Sequence, residues 1–160
     1  MGDWAGFFEA ELGAAAALAG LVMVAISINI ARILAVPSLP GRAAETLVPP
    51  TGLLIVCSFA LVPHQTGWSV GAEIAATGIA MAVLSAFIIV PVMRSDSGVA
   101  RRYVVSRAAS AVLYSLPFIV CGVLLCLGVK DALYWIVPGV IVSLLTTVLN
   151  AWVLLIEILR

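Results

Sequence analysis

Polar side chains are scarce in this 160-residue sequence, so those that recur at helical spacing are the first candidates for chemistry. In VSLLTTVLNAWVLLIEILR, residues 142–160, Ser143, Thr146, Thr147, Asn150 and Glu157 follow i, i+3, i+4, i+7 and i+14, which puts them along one face of an α-helix. Ser27 and Asn29 interrupt the first long apolar run, and Glu45 and Thr46 stand at the start of the second. Gathered in one seam, such groups can hold an ion, a proton or a polar head group, because polar side chains inside a membrane are costly unless satisfied. The alternative is interhelical hydrogen bonding, worth about 0.6 kcal/mol per pair on average, with Glu157 reaching the interface. Ser27 and Asn29 lie about 200° apart around a helix and do not form one site by themselves. Asn29 is therefore expected to meet either Asn150 or water.

A second group is Glu9, Glu11, His64 and Glu73, all near ends of apolar runs. Carboxylates with one histidine can bind a divalent cation or relay protons, although scattered end charges leave the same pattern. A third is the row Gly13, Ala16, Ala17, Gly20, Ser27 and Ala31, at spacings of three, four and seven. Small residues on one face let membrane helices approach closely, so Gly13, Ala17 and Gly20 are expected to form a helix-packing face rather than a pore lining.

Enzyme signatures are missing from the sequence: it has no HExxH, no GxSxG and no phosphate-binding loop, and the sole histidine stands beside Pro63. One histidine cannot supply bis-histidine haem ligation. Cys57, Cys121 and Cys126 lie within apolar runs without CxxC or Cys/His spacing, and they read as small apolar fillers. No catalytic residue, metal or cofactor is expected, and the chain reads as non-enzymatic.

The elements that must position these residues follow from composition. Hydrophobic residues make up 64% of the chain and charged ones 10%, with mean hydropathy +1.23, against roughly 45–50% and 25% in soluble domains. This is the composition of an integral membrane protein. The formal net charge is zero, which gives no reason to expect nucleic acid as a partner. The opening residues carry acids but no Lys or Arg, so no secretory n-region is present and the first apolar run is expected to remain.

A spanning helix needs about 20 apolar residues. Runs at about 12–34, 70–93, 109–127 and 133–157 qualify directly. The fifth, about 43–63, contains Pro49 and Pro50, which would kink it in its early turns. Charge parity favours counting it: with five spans Arg32, Arg42, Arg94, Arg101, Arg102, Arg107 and Arg160 share one face, and only Lys130 lies opposite. The expectation is an all-α, polytopic bundle of five transmembrane helices forming a single domain over residues 1–160, N-terminus outside and C-terminus cytoplasmic. Trp4, Trp68, Tyr134 and Trp135 would form the outer aromatic belt. Arg94, Arg101, Arg102 and Arg107 would form an inner basic cluster suited to anionic lipid head groups.

The run AALAGLVMVAISINIARILAVPSLPGRAAETL, followed by FALVPHQ, resembles a group of small uncharacterised bacterial inner-membrane proteins. Some of these are labelled modulators of a membrane-bound AAA protease. The resemblance covers the first half of the chain and implies a multi-pass protein of the bacterial plasma membrane. It brings no catalytic or ligand residues, and Pro49 and Pro50 stand where it leads one to expect aliphatic side chains. Seven arginines against one lysine suit a GC-rich bacterial source. The function expected is that of an oligomeric subunit, or a modulator of another membrane protein, surrounded by lipid. The alternative is a small channel or transporter with its polar seam between the first and last helices.

Overall fold

The structure, a computed structural model, describes residues 4–36, 39–94 and 101–153. Among these, the chain forms α1 (Ala5–Ile28), α2 (Ile30–Ala35), α3 (Leu39–Ala60), α4 (Gly67–Arg94), α5 (Arg101–Cys126) and α6 (Ile136–Trp152), with a 3-10 turn at Ala132–Trp135 before α6. Five helices are long and apolar enough to cross a membrane. The architecture is the all-α, five-span bundle expected.

The helix ends differ from the sequence expectation for identifiable reasons. α1 begins at Ala5 rather than near residue 12 because its first turn is anchored by aromatic rings. Trp4 meets Phe7 and Tyr134 edge-on at centroid distances of 5.5 and 5.1 Å, a favoured geometry, and Phe8 is fully buried. Glu9 and Glu11 interrupt the apolar stretch there, which is why the run counted by hydropathy starts near residue 12.

Asn29 separates α1 from α2. Its backbone N–H and its side-chain Nδ2 both donate to the Ala25 carbonyl, at 3.3 and 3.0 Å, and this local competition draws the backbone away from ideal helix geometry. α3 starts at Leu39 and runs through both prolines, which are buried. Neither proline has an N–H, so the carbonyls of Glu45 and Thr46 lose the donor four residues on. Neighbouring helices make such breaks tolerable in a membrane bundle. α5 begins at Arg101 instead of near residue 109, which moves Arg107 out of the expected loop and into a helix.

Glycine decides the closest packing. Gly71 and Ala75 of α4 pack against Gly122 of α5, and Gly78 against Ile119 one turn away. A Cβ on Gly122 would fall 2.4 Å from Ala75 N and Gly71 O, and one on Gly71 would fall 2.7 Å from Gly122 O. Such close backbone approach is the use of small residues between membrane helices. Gly52 likewise admits Met81 between α3 and α4. Around these contacts Leu53, Val56, Cys57, Ile74, Phe118, Cys121, Ile136 and Val140 form the core.

The packing face expected on α1 does not pack against another described helix of the chain. Gly13, Ala17 and Gly20 are exposed, and a Cβ on Gly6, Gly13 or Gly20 would meet no described atom within 4 Å. Phe8, Ala15, Val22 and Asn29 instead face inward. Those four repeat every seven residues, and Gly6, Gly13, Gly20 and Ser27 sit two positions earlier, about 200° around the helix. Burying Phe8 and Val22 gains more dispersion than burying glycine, so the small residues are left facing out. α1 packs against α3 and more lightly against α6.

Candidate functional site

At one end of the bundle the start of α3, the first half of α5 and the end of α6 part around a polar cavity of about 140 Å³. Its walls are Arg42, Glu45 and Thr46 from α3, Ser106, Arg107, Ser110 and Tyr114 from α5, and Thr146 and Asn150 from α6. Each helix contributes residues three, four or seven apart, so each presents one face to the space. The volume exceeds what one water requires.

Arg107 and Glu45 define its electrostatics. Arg107 Nε donates to Glu45 Oε2 at 2.6 Å, and Nη2 donates to the same oxygen. Both side chains are only 11% exposed. The described parts of α3 and α5 make almost no direct backbone contact, so this ion pair bridges the gap between them. With Arg42, the described walls of the cavity carry two guanidinium groups and one carboxylate.

Hydroxyls complete the walls. Thr46 Oγ1 donates to the Arg42 carbonyl at 2.9 Å, and Ser110 Oγ to the Ser106 carbonyl at 3.0 Å. Tyr114, seven residues deeper than Arg107, lies 2.5 Å from Ser85 Oγ of α4. The Ser85 proton goes to the Met81 carbonyl at 2.9 Å, so Tyr114 donates and Ser85 accepts. Beyond Tyr114 the buried side chains of Phe118, Cys121, Leu53 and Val56 fill the interior. Tyr114→Phe is expected to lower stability by about 1 kcal/mol, the net worth of one hydrogen bond. Thermal unfolding in detergent measures it.

The structure thus brings together Glu45, Thr146 and Asn150 from the expected seam, but in a different place. The first and last helices touch, yet the polar groups meet between α3, α5 and α6. Ser27 is on the outward face and donates to the Met23 carbonyl at 2.8 Å. Asn29, only 5% exposed, is satisfied by Ala25 of its own helix and bonds to neither Asn150 nor the cavity walls. Ser143 and Thr147 are buried one row away from Thr146 and Asn150, with Thr147 Oγ1 donating to the Ser143 carbonyl at 2.7 Å. Glu157 and the side chains of Arg94, Arg101 and Arg102 lie outside the described residues.

Arg107 is the member that sequence reading misplaced, by assigning it to a loop. The signal was available: Arg107, Ser110 and Tyr114 follow i, i+3 and i+7, as Arg42, Glu45 and Thr46 follow i, i+3 and i+4.

Of Glu9, Glu11, His64 and Glu73, Glu11 and Glu73 are half-buried, each with one buried carboxylate oxygen that has no hydrogen-bond partner among the described residues. Glu9 and His64 are exposed, and Glu73 accepts from Gln65 Nε2 at 3.3 Å. Among the described residues no group of three His, Cys, Asp or Glu side chains is placed to hold a metal ion. The three cysteines are free, with Cys57 and Cys121 buried in the core. Comparison with family models, with curated proteins and with solved structures finds no match to this chain.

Proposed function

We propose that this chain is a non-enzymatic, multi-pass protein of a bacterial inner membrane that works by lateral association, as an oligomeric subunit or a modulator of another membrane protein. One observation carries the reading. Gly6, Gly13, Gly20 and Ser27 recur every seven residues on the face of α1 that no other described helix covers. α1 is also the most peripheral helix, with 17% of its most apolar window buried against 44% for α3. A seven-residue repeat of small side chains offers a straight groove for a second helix, where close packing replaces the hydrophobic drive absent between helices in lipid.

Leucine at both Gly13 and Gly20 tests this cleanly. Each Cβ would enter open space, so the fold should survive while the groove is blocked. The expected result is loss of the oligomer, or of the crosslinked partner, in mild detergent and in lipid bilayers, with unfolding temperature nearly unchanged. A wild-type chain that is monomeric in both, with no partner crosslinked in cells, sinks the idea. A small transporter is the second reading, and the polar cavity favours it. The apolar side chains filling the interior beyond Tyr114 weigh against a continuous path.

A further inference from the structure

We infer that the end of the bundle where α1 and α4 begin binds a divalent metal cation of the hard, oxygen-seeking class, with Gln65 and Glu73 as its side-chain ligands and Glu11 as the second negative charge that holds it. Gly71 of α4 lies against Cys126 at the close of α5, so this is the end away from Arg107. Three side-chain oxygens here, Glu11 Oε2, Gln65 Oε1 and Glu73 Oε2, are buried and have no hydrogen-bond donor among the described residues. Elsewhere in the described chain only Ser143 Oγ shares that condition. Buried polar atoms are ordinarily paired, so three acceptors gathered at one end call for a positive partner that no described side chain supplies.

The pairing of Gln65 with Glu73 fixes the ligands. Gln65 Nε2 donates to Glu73 Oε1 at 3.3 Å, which sets the carboxamide beside the carboxylate. The second oxygen of each group is the one without a partner. Both are acceptors, so neither can satisfy the other. A carboxylate oxygen and an amide carbonyl oxygen are what a hard cation such as Ca2+ takes, with water filling its remaining positions. Gln65 also borders a cavity of about 190 Å³ with Ala5 of α1, Ala60 and Leu61 at the end of α3 and Val70 of α4, which gives those waters room.

Charge supports a divalent ion. Glu11 stands three residues after Phe8 and four before Ala15, both buried, so it shares the inward side of α1. Its carboxylate is within electrostatic reach of Cys57 on α3, and α3 packs against both α1 and α4. Glu11 and Glu73 belong to membrane-spanning helices, where a carboxylate is costly unless compensated. The other described titratable side chains at this end, Glu9, His64, Lys130 and Asp131, are exposed. One divalent ion compensates both buried acids, because charges in a low-dielectric bundle act beyond direct contact.

The test uses the full chain in a neutral detergent, stripped of metal with EDTA and titrated separately with CaCl2 and MgCl2 over a constant background of NaCl. Binding is read by calorimetry and by the rise in unfolding temperature that a ligand of the folded state produces. Saturable binding of at least one of the two ions is expected. Glu73→Gln should abolish it, and this variant should unfold at a higher temperature than the metal-free wild type, because its new carboxamide can donate to Gln65 Oε1. Gln65→Ala should weaken binding by about tenfold or more, the scale on which supporting groups of metal sites act, and it serves if Glu73→Gln does not fold. Glu11→Gln should weaken it as well. Glu9→Gln, which removes an exposed acid of the same helix, should leave the affinity unchanged. No saturable binding of either ion, or equal weakening by Glu9→Gln and Glu73→Gln, overturns the proposal. So does a protonated-carboxyl infrared band in the metal-free chain that Glu73→Gln removes and that neither ion diminishes, because a proton then satisfies both oxygens.

Discussion

Glu45→Leu is expected to destabilise the bundle by about 3–5 kcal/mol, the range for removing one partner of a buried ion pair. The carboxylate accepts two hydrogen bonds from Arg107, and both side chains are nearly withdrawn from the surface. The described parts of α3 and α5 make almost no direct backbone contact, so the substitution also removes a bridge between them. Arg107→Leu should cost a similar amount. The double variant Glu45→Leu with Arg107→Leu is the discriminating measurement, because replacing a buried pair by apolar side chains of similar volume is often near neutral. Its unfolding temperature in detergent should lie closer to wild type than either single variant does. If the two losses simply add, the residues do not act as a unit.

Gly122→Val is the other change with a large expected effect, and its mechanism is steric. The new Cβ alone would stand 2.4 Å from the Ala75 amide nitrogen and the Gly71 carbonyl oxygen. These are backbone atoms held in a helix, so no rotamer change relieves the overlap. The loss should reach or exceed the upper end of the roughly 1–3 kcal/mol typical of overpacking. α4 and α5 would have to separate along their tightest seam. Even Gly122→Ala should lower the unfolding temperature measurably, while Gly13→Ala on the open face of α1 should not. That contrast checks the assignment of inward and outward glycines in one experiment.

The class of the protein was legible in the chain because hydropathy is a sum over residues and does not depend on who neighbours whom. Runs of apolar residues long enough to cross a bilayer, and arginines gathered at the ends of those runs, were sufficient for five helices and for Pro49 and Pro50 lying inside the second span. Of the polar stripe on α6, Thr146 and Asn150 line the cavity while Ser143 and Thr147 are buried one row away. Helical spacing reveals that residues share a face, and it does so from sequence alone.

Which face meets which helix was decided only in three dimensions. The Gly13 row shows in sequence as a packing face, but its partner does not: within the described residues the close approaches fell to Gly71, Gly78 and Gly122, because the larger side chains two positions from the α1 glycines claimed the core. Asn29 found its acceptor one turn back on its own helix instead of across the bundle. Arg107 became the partner of Glu45, 62 residues away, once α5 extended far enough to carry it inward. Periodicity specifies each helix's own angular pattern, but the rotation of one helix against another is set by the joint packing of all their side chains.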